Sequence, residues 1–530
     1  MQQQPSEGLP PGDSPSPWPP PAEPWSPEPE QVRRPGPKGL TLLAWLVIVV
    51  AIAIKVVAVS VGPGEEVGGE DPVGLMLMRI QGRYMVGAAE ATGEGPTLYS
   101  QAGAFKTGTV GQRLCFVVLA GELAGAGEAR RELGELARLI EQEQLKPEAG
   151  GEPLELRDED AEAMRLLGSL YGEPITIEDA IRSAAGGGGD VAEDATVNLA
   201  ALGDDDRARL VELLGWYGRL ALAPRGVTDA TARAEVLAPA KRTFAVLISV
   251  AVAGVLVGLG GFVGLIIMVV LACLRSLRGG VARGPWHHGI YAETFALWFV
   301  LFFLLQLGAG ALGKLLPELS MPAVIVAFFL SLLVLAWPVA RGIPWRQVRA
   351  DIGWKAGRLA PVEPLIGLAC YAMTLPILAV GVLMTLVLIF VDQAMAGPQP
   401  VFAPAGGPAH PIIAELGDGS ALLIVQVLIL ASVAAPIVEE TIFRGVLYRH
   451  LRDASAGLGF VVSVLLSTLL AAFVFAVIHP QGWVAIPALM SLAVGFTLAR
   501  EWRGTLIPSM VMHGVSNGLV LGTVIFVASG

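Results

Sequence analysis

Charge is thin in this sequence, and cysteine is thinner. Asp, Glu, Lys and Arg together make up 16% of the 530 residues, against 53% apolar residues. A water-soluble chain of that length needs more charge to cover its surface, so the composition points to a membrane. The mean hydropathy of +0.61 agrees. Three cysteines, Cys115, Cys273 and Cys370, are too few and too scattered for a disulfide framework or a CxxC metal site. Long basic runs are missing as well, and the net charge is -11, so nucleic-acid binding has no electrostatic basis.

What is present is a succession of apolar runs with one charged interval. Residues 1–38 are rich in Pro, Gln, Ser and Glu and read as a disordered Pro-rich tail that cannot bury a core. Arg33, Arg34 and Lys38 precede an apolar run, Leu40 to Val61, longer than the core of a signal peptide. It reads as an uncleaved transmembrane anchor over 39–62, with Lys55 either snorkelling toward the surface or facing protein. Residues 63–242 hold most of the negative excess. Amphipathic patterns near 122–145, 158–171 and 204–222 indicate an extramembrane, largely helical domain with a glycine linker at 185–189. No chemistry shows in it, which leaves a spacer or a module for a protein partner.

Apolar stretches then follow at 243–274, 292–316, 320–340, 364–393, 420–445, 457–479, 483–500 and 505–528. Each approaches or exceeds the length that crosses about 30 Å of hydrocarbon. The expected fold is an all-α polytopic membrane protein with about nine transmembrane helices, the extramembrane domain lying between the first and second. The later helices divide into 243–360 and 361–530. Basic residues cluster in four short loops: Arg275, Arg278 and Arg283; Arg341, Arg346, Arg349, Lys355 and Arg358; Arg449 and Arg452; Arg500 and Arg503. Placing these loops and the N-terminus in the cytoplasm lets every span alternate. Residues 63–242 and the Pro- and Gly-rich loop 396–418 then lie outside it.

Polar groups inside apolar spans are costly, so each needs a reason. Glu439 and Glu440 interrupt an apolar run, and Arg444 follows Glu440 by four residues. On a helix of about 3.6 residues per turn, Glu440 and Arg444 share a face as an ion pair, and Glu439 turns about 100° away, left for another partner. Of the six histidines, His287, His288, His410 and His450 fall in loops or near loop ends. His479 and His513 fall in or at the edge of spans, with Phe475 four residues before the first and Asn517 four after the second. Each group has a plainer reading alone. The glutamates suit a helix end at the membrane surface, His479 a turn before Pro480, and His513 with Asn517 interhelical hydrogen bonding. Brought together, they make a pocket of one carboxylate, two imidazoles and one amide. Such a pocket suits hydrolysis, with the carboxylate taking a proton from water, one imidazole holding that water, and the remaining donors facing an oxyanion.

Glu439-Glu440-Thr441-Ile442-Phe443-Arg444 resembles the EExxxR motif of the CAAX prenyl protease and bacteriocin-processing family of intramembrane proteases, which includes Ras-converting-enzyme-like members. Phe475-Ala476-Val477-Ile478-His479 is similar to its FxxxH motif and His513-Gly514-Val515-Ser516-Asn517 to its HxxxN motif. Gly495-Phe496-Thr497 and Gly504-Thr505-Leu506-Ile507-Pro508 also read like the family, and the resemblance spans roughly 365–530. It implies an intramembrane endopeptidase acting on a membrane-associated peptide or protein. Glu439 would be the general base, His479 would position the water, and His513 and Asn517 would form the oxyanion site. Glu440 and Arg444 would hold the helix in shape, and Phe475 would pack beside the site. The favoured scheme has no cofactor. Its alternative makes Glu439, His479 and His513 the ligands of a zinc ion, although the HExxH zinc helix is absent. The expected location is a cell membrane with several crossings, by composition a bacterial cytoplasmic one. Two other functions compete: a transporter, which would show repeated halves, and an inactive scaffold or immunity-type protein that binds a partner through 63–242.

Overall fold

The computed structural model describes residues 38–60, 72–145, 156–172, 196–226, 228–277, 279–281, 289–395 and 420–528. Residues 1–37 of the Pro-rich tail, the 185–189 linker and the 396–418 loop lie outside the described residues. So do Arg278, Arg283, His287, His288, His410 and the side chain of Lys55. Among the described residues every regular element is helical.

Helix α1 (Lys38–Ser60) is apolar along its length. Seven helices then build a separate helical unit, none of them among the helices long and apolar enough to cross a membrane: α2 (Pro72–Thr92), α3 (Gly95–Gln101), α4 (Val110–Ala124), α5 (Ala126–Leu145), α6 (Asp158–Tyr171), α7 (Asp204–Leu214) and α8 (Trp216–Ala221). The centre is α4. Thr109 starts it with a reciprocal capping box, in which Gln112 Oε1 accepts from the Thr109 N–H at 2.9 Å. From Leu114 to Ala120 every residue is buried, as a helix apolar on all sides requires. Val86, Leu133, Ile140, Leu166, Leu170, Leu210 and Trp216 pack around it.

The same core takes Leu237 and Ala240 from α9 (Ala230–Cys273), whose first turn is capped by the Asp229 carboxylate. At about 1.5 Å per residue, the 44 residues of α9 span about 66 Å, roughly twice the hydrocarbon thickness. One helix therefore runs from the core of the α2–α8 unit into the apolar bundle, straight through residues 242 and 243, where the sequence pattern predicts a boundary.

The bundle continues with α10 (Ile290–Leu315), α11 (Pro317–Ala340), the short α12 (Trp345–Ile352), α13 (Glu363–Met395), α14 (Ala421–Ala454), α15 (Phe460–Val477), α16 (Trp483–Arg503) and α17 (Ile507–Ala528). Among the described residues, eight helices are long and apolar enough to cross a membrane, all of these but α12 together with α9. Helix α1 carries a shorter apolar stretch, Gly39–Ile54, and buries Ala44 and Ile48 in one core with Tyr291 and Phe295 of α10. Glycine sets how closely helices approach. Gly261 of α9 leaves no room for a Cβ against the Ala372 carbonyl of α13.

Helix α14 departs from the expected ends. The apolar pattern predicts an end at 445, and the helix runs on to Ala454. Arg449 and Arg452, read as loop charges, and His450, read near a loop end, are buried within it. The charges are matched, which is what permits their burial. Arg449 reaches Asp351 at 3.4 Å and Asp453 at 2.9 Å, and Arg452 reaches Glu501 at 3.2 Å. Arg500, also read as a loop residue, is buried in α16 and donates to the Asp351 carbonyl at 2.9 Å. The longer helix puts Glu439 near the middle of α14. It stands there level with His479, just past the end of the returning helix α15.

Candidate active site

Helix α14 is not wound evenly. Two segments, Leu430–Ala434 and Glu440–Leu447, form π-helix. In the first, the Ala435 N–H bonds the Leu430 carbonyl, five residues back. The next bond in that register would run from residue 436 to Ala431, and Pro436 has no N–H to give. The Ala431 carbonyl accepts instead from Asn517 Nδ2 of α17, at 2.8 Å. Gly514 allows the close approach, since a Cβ there would lie 2.6 Å from the Ser432 carbonyl oxygen. Wide turns of this kind recur at functional sites, where they re-aim side chains.

The two glutamates have different surroundings. Glu440 is fully buried, and its Oε1 accepts from Arg444 Nη1 at 2.8 Å and from His513 Nδ1 at 3.0 Å. Arg444 is buried too, its guanidinium 4.3 Å from the Phe475 ring centre and 5.2 Å from that of Phe496. Glu439 keeps 17% of its side chain exposed. Among the described residues its Oε2 has no hydrogen-bond partner, and it lies 3.9 Å from His479 Nε2 and 3.9 Å from His513 Nε2. The ring of Phe475 packs 4.2 Å from that of His479, and Phe496 stacks on His513 at 5.3 Å. Six of the seven residues singled out in the sequence, Glu439, Glu440, Arg444, Phe475, His479 and His513, thus meet where α14, α15 and α17 converge, and the seventh, Asn517, bonds the Ala431 carbonyl one turn along α17 from His513.

Outer partners orient both imidazoles. His479 Nδ1 lies 2.6 Å from the Phe475 carbonyl oxygen, which only accepts, so that nitrogen carries the hydrogen. His513 Nδ1 faces a Glu440 carboxylate already paired with Arg444, so it donates as well. Both Nε2 atoms are then acceptors in the neutral rings, and with Glu439 Oε2 they make three acceptors about one small space. The 3.9 Å gaps are too long for direct hydrogen bonds and suit a bridging water.

Glutamate and two histidines, each imidazole steadied by a second group, have the donor chemistry of a catalytic zinc centre. The spacing does not fit one. Ligands of a single tetrahedral zinc ion lie about 3.4 Å apart. No group of three His, Cys, Asp or Glu side chains among the described residues is placed to hold an ion.

Supports of the site also come from residues that the sequence reading passed over. Trp354, in the turn after α12, donates to Thr441 Oγ1 at 2.9 Å and fixes the stretch between Glu440 and Arg444. Tyr448 and Arg452 both bond Glu501 of α16, tying the lower half of α14 to the neighbouring helix. A charged pair, Arg500 and Glu501, inside an apolar pattern was the available signal, hidden by reading it as a helix end.

The architecture is that of a multi-pass membrane protein with a buried cluster of carboxylates and imidazoles. Residues 421–519 match the family model described as type II CAAX prenyl endopeptidase, Rce1-like. All the motif residues from Glu439 to Asn517 fall within the matched segment. The chain is also similar to the membrane-embedded CAAX protease MroQ of Staphylococcus aureus (strain USA300), at 30% identity over 90 residues. That match covers 17% of this chain and 36% of the relative. No solved structure matches the chain.

Proposed function

We propose that this chain is an intramembrane endopeptidase that hydrolyses a peptide bond of a membrane-associated protein or peptide. The observation that carries the reading is Glu439 Oε2, buried, unpaired and 3.9 Å from each of two imidazole Nε2 atoms. Glu439 takes a proton from the bridging water as the water oxygen attacks the carbonyl carbon. A C–O bond forms and the carbonyl electrons move onto oxygen. His479, steadied by the Phe475 carbonyl, orients the water. His513, held by Glu440, and the second N–H of Asn517 form the oxyanion site. On collapse the C–N bond breaks and Glu439 passes its proton to the leaving amine. No step uses a metal. The basic loops face the cytoplasm of a bacterial cell in this reading, and the α2–α8 unit lies on the opposite face, open to a protein partner.

The test is proteolysis of a membrane-proteome peptide library by the wild-type protein in lipid nanodiscs, beside Glu439→Gln. Cleavage by the wild type, reduced at least about 10²-fold in the variant and unchanged by a chelator, is the expected result. Identical peptide profiles from the two folded proteins would sink the protease reading and leave a scaffold. Activity lost to chelator and restored by zinc would overturn the metal-free scheme.

A further inference from the structure

The α2–α8 unit lies outside the matched segment, yet it touches the end of the helix that carries His513 and Asn517. A helix ends with carbonyls that have no partner within it, and cations are favoured there. On α17 two arginines from the extramembrane side fill that role. Arg83 of α2, 3% exposed, donates from Nη1 to the Val527 carbonyl at 3.1 Å. Arg242 of α9 donates from Nη2 to the Phe526 carbonyl at 3.1 Å, and its guanidinium lies 3.8 Å from the Phe526 ring centre. Arg83 is itself held within the unit, 5.5 Å from the Trp216 ring centre.

The same helix α2 reaches the other half of the site. Met76 is buried in a cluster with Val427 of α14 and Leu521 of α17, and Ile80, Leu423, Leu428 and Val524 pack against it. Helix α2 thus sits across the outer turns of both α14, bearing Glu439 and Glu440, and α17, bearing His513 and Asn517. Deeper in, Asn517 fastens the same two helices through the Ala431 carbonyl. Val527 and His513 are joined by one unbroken helix, about 21 Å long at about 1.5 Å per residue. An axial shift at its end therefore moves the 3.9 Å gap between His513 and Glu439.

We infer that Arg83 and Arg242 are positioning residues, through which the extramembrane unit sets the placement of α17 and so the geometry of the hydrolytic site. The inference rests on the protease reading for its kinetic consequence, but not for its mechanical one. The unit is then part of the working enzyme, and whatever binds it acts on turnover through α2.

The experiment uses the full chain in nanodiscs as wild type, Arg83→Gln with Arg242→Gln, Arg83→Lys, and Arg242→Gln alone. Two readouts are taken, backbone hydrogen exchange along α17 and the kcat and KM for the fastest-cleaved library peptide. In the double variant, exchange rises in the last turns of α17 and extends to 513–517. Its kcat falls about ten- to hundredfold with KM unchanged, as a displaced catalytic group requires. Arg83→Lys keeps a donor for Val527 and keeps kcat near the wild-type value. Arg242→Gln alone lies on the exposed face of α9 and folds, and it shows the same split in smaller measure. Unchanged kcat and unchanged exchange at 513–517 in a folded double variant overturn the inference. Should the double variant fail to fold, an unchanged Arg242→Gln does so. If the wild type shows no Glu439-dependent cleavage, the protease reading fails and the exchange measurement alone decides whether the unit holds α17.

Discussion

Two adjacent glutamates of the same chemistry have different neighbours. Glu440 Oε1 is bonded by Arg444 and His513, whereas Glu439 Oε2 faces two imidazoles and has no hydrogen-bond partner among the described residues. Substituting each to glutamine separates the roles. Glu439→Gln leaves the hydrogen-bonded scaffold intact and is expected to abolish cleavage while leaving thermal unfolding within a degree or so of the wild type. Glu440→Gln strands a buried guanidinium and frees His513, at a cost of about 3–5 kcal/mol. It is expected to lower both the unfolding temperature and kcat. Calorimetry and cleavage assays on the two variants check this, and equal destabilisation by both would refute the division. The Glu440–Arg444 pair was legible in the sequence because it is local, four residues along one helix. The Glu440–His513 bond was not, since it joins residues 73 apart and exists only once α14 and α17 pack. The resemblance assigned Glu440 to holding the helix in shape, and the structure adds that it aims an imidazole.

Elements carry the next level, where a local irregularity does the joining. The assumption of a uniform period along α14 failed at Pro436, whose missing N–H leaves the Ala431 carbonyl to Asn517. One of the two amide hydrogens of Asn517 is therefore already committed to holding helices together, and one remains for an oxyanion. Asn517→Leu removes both. Leaving a buried carbonyl without a donor costs about 1–3 kcal/mol. The variant is expected to lose that much stability and to lose kcat as well. Asn517→Ser shortens the reach and gives a smaller donor, so it falls between. Denaturant unfolding beside single-turnover cleavage separates the two losses, and full stability with full kcat in Asn517→Leu would mean that α14 and α17 hold together without this bond. The apolar spans themselves were readable from composition and length. Their ends were not, because Arg449, Arg452 and Arg500 look like loop charges until Asp351, Asp453 and Glu501 are seen beside them.

At the scale of the whole molecule, the core of the α2–α8 unit is distinct from the apolar bundle and yet shares α9 with it, so its stability bears on the site. That core buries groups that ionise on the alkaline side. Burial pushes the Cys115 thiol up to about 12, with the Arg79 charge opposing weakly, and burial likewise raises the Tyr171 and Tyr217 hydroxyls above their ordinary range. In the unfolded chain these groups release protons from about pH 8.5 for the thiol and about pH 10 for the phenols. Above those values the unfolded state binds fewer protons than the folded one, so stability falls as pH rises, by up to about 1.4 kcal/mol per pH unit for each group in its window. Below about pH 8 the three groups are neutral in both states and contribute no slope. The expected outcome is a urea midpoint for proteolytic nicking within 72–226 that is flat from pH 7 to 8 and drops between pH 9 and 11. Cys115→Ala removes the earliest part of that drop. If α2 and α9 transmit order from this unit to α17, hydrogen exchange at 513–517 rises over the same alkaline range in which the unit loosens, and in Cys115→Ala it begins to rise at a higher pH. A site helix that keeps its protection while the unit is nicked would separate the two halves of the molecule, leaving α9 a passive connection.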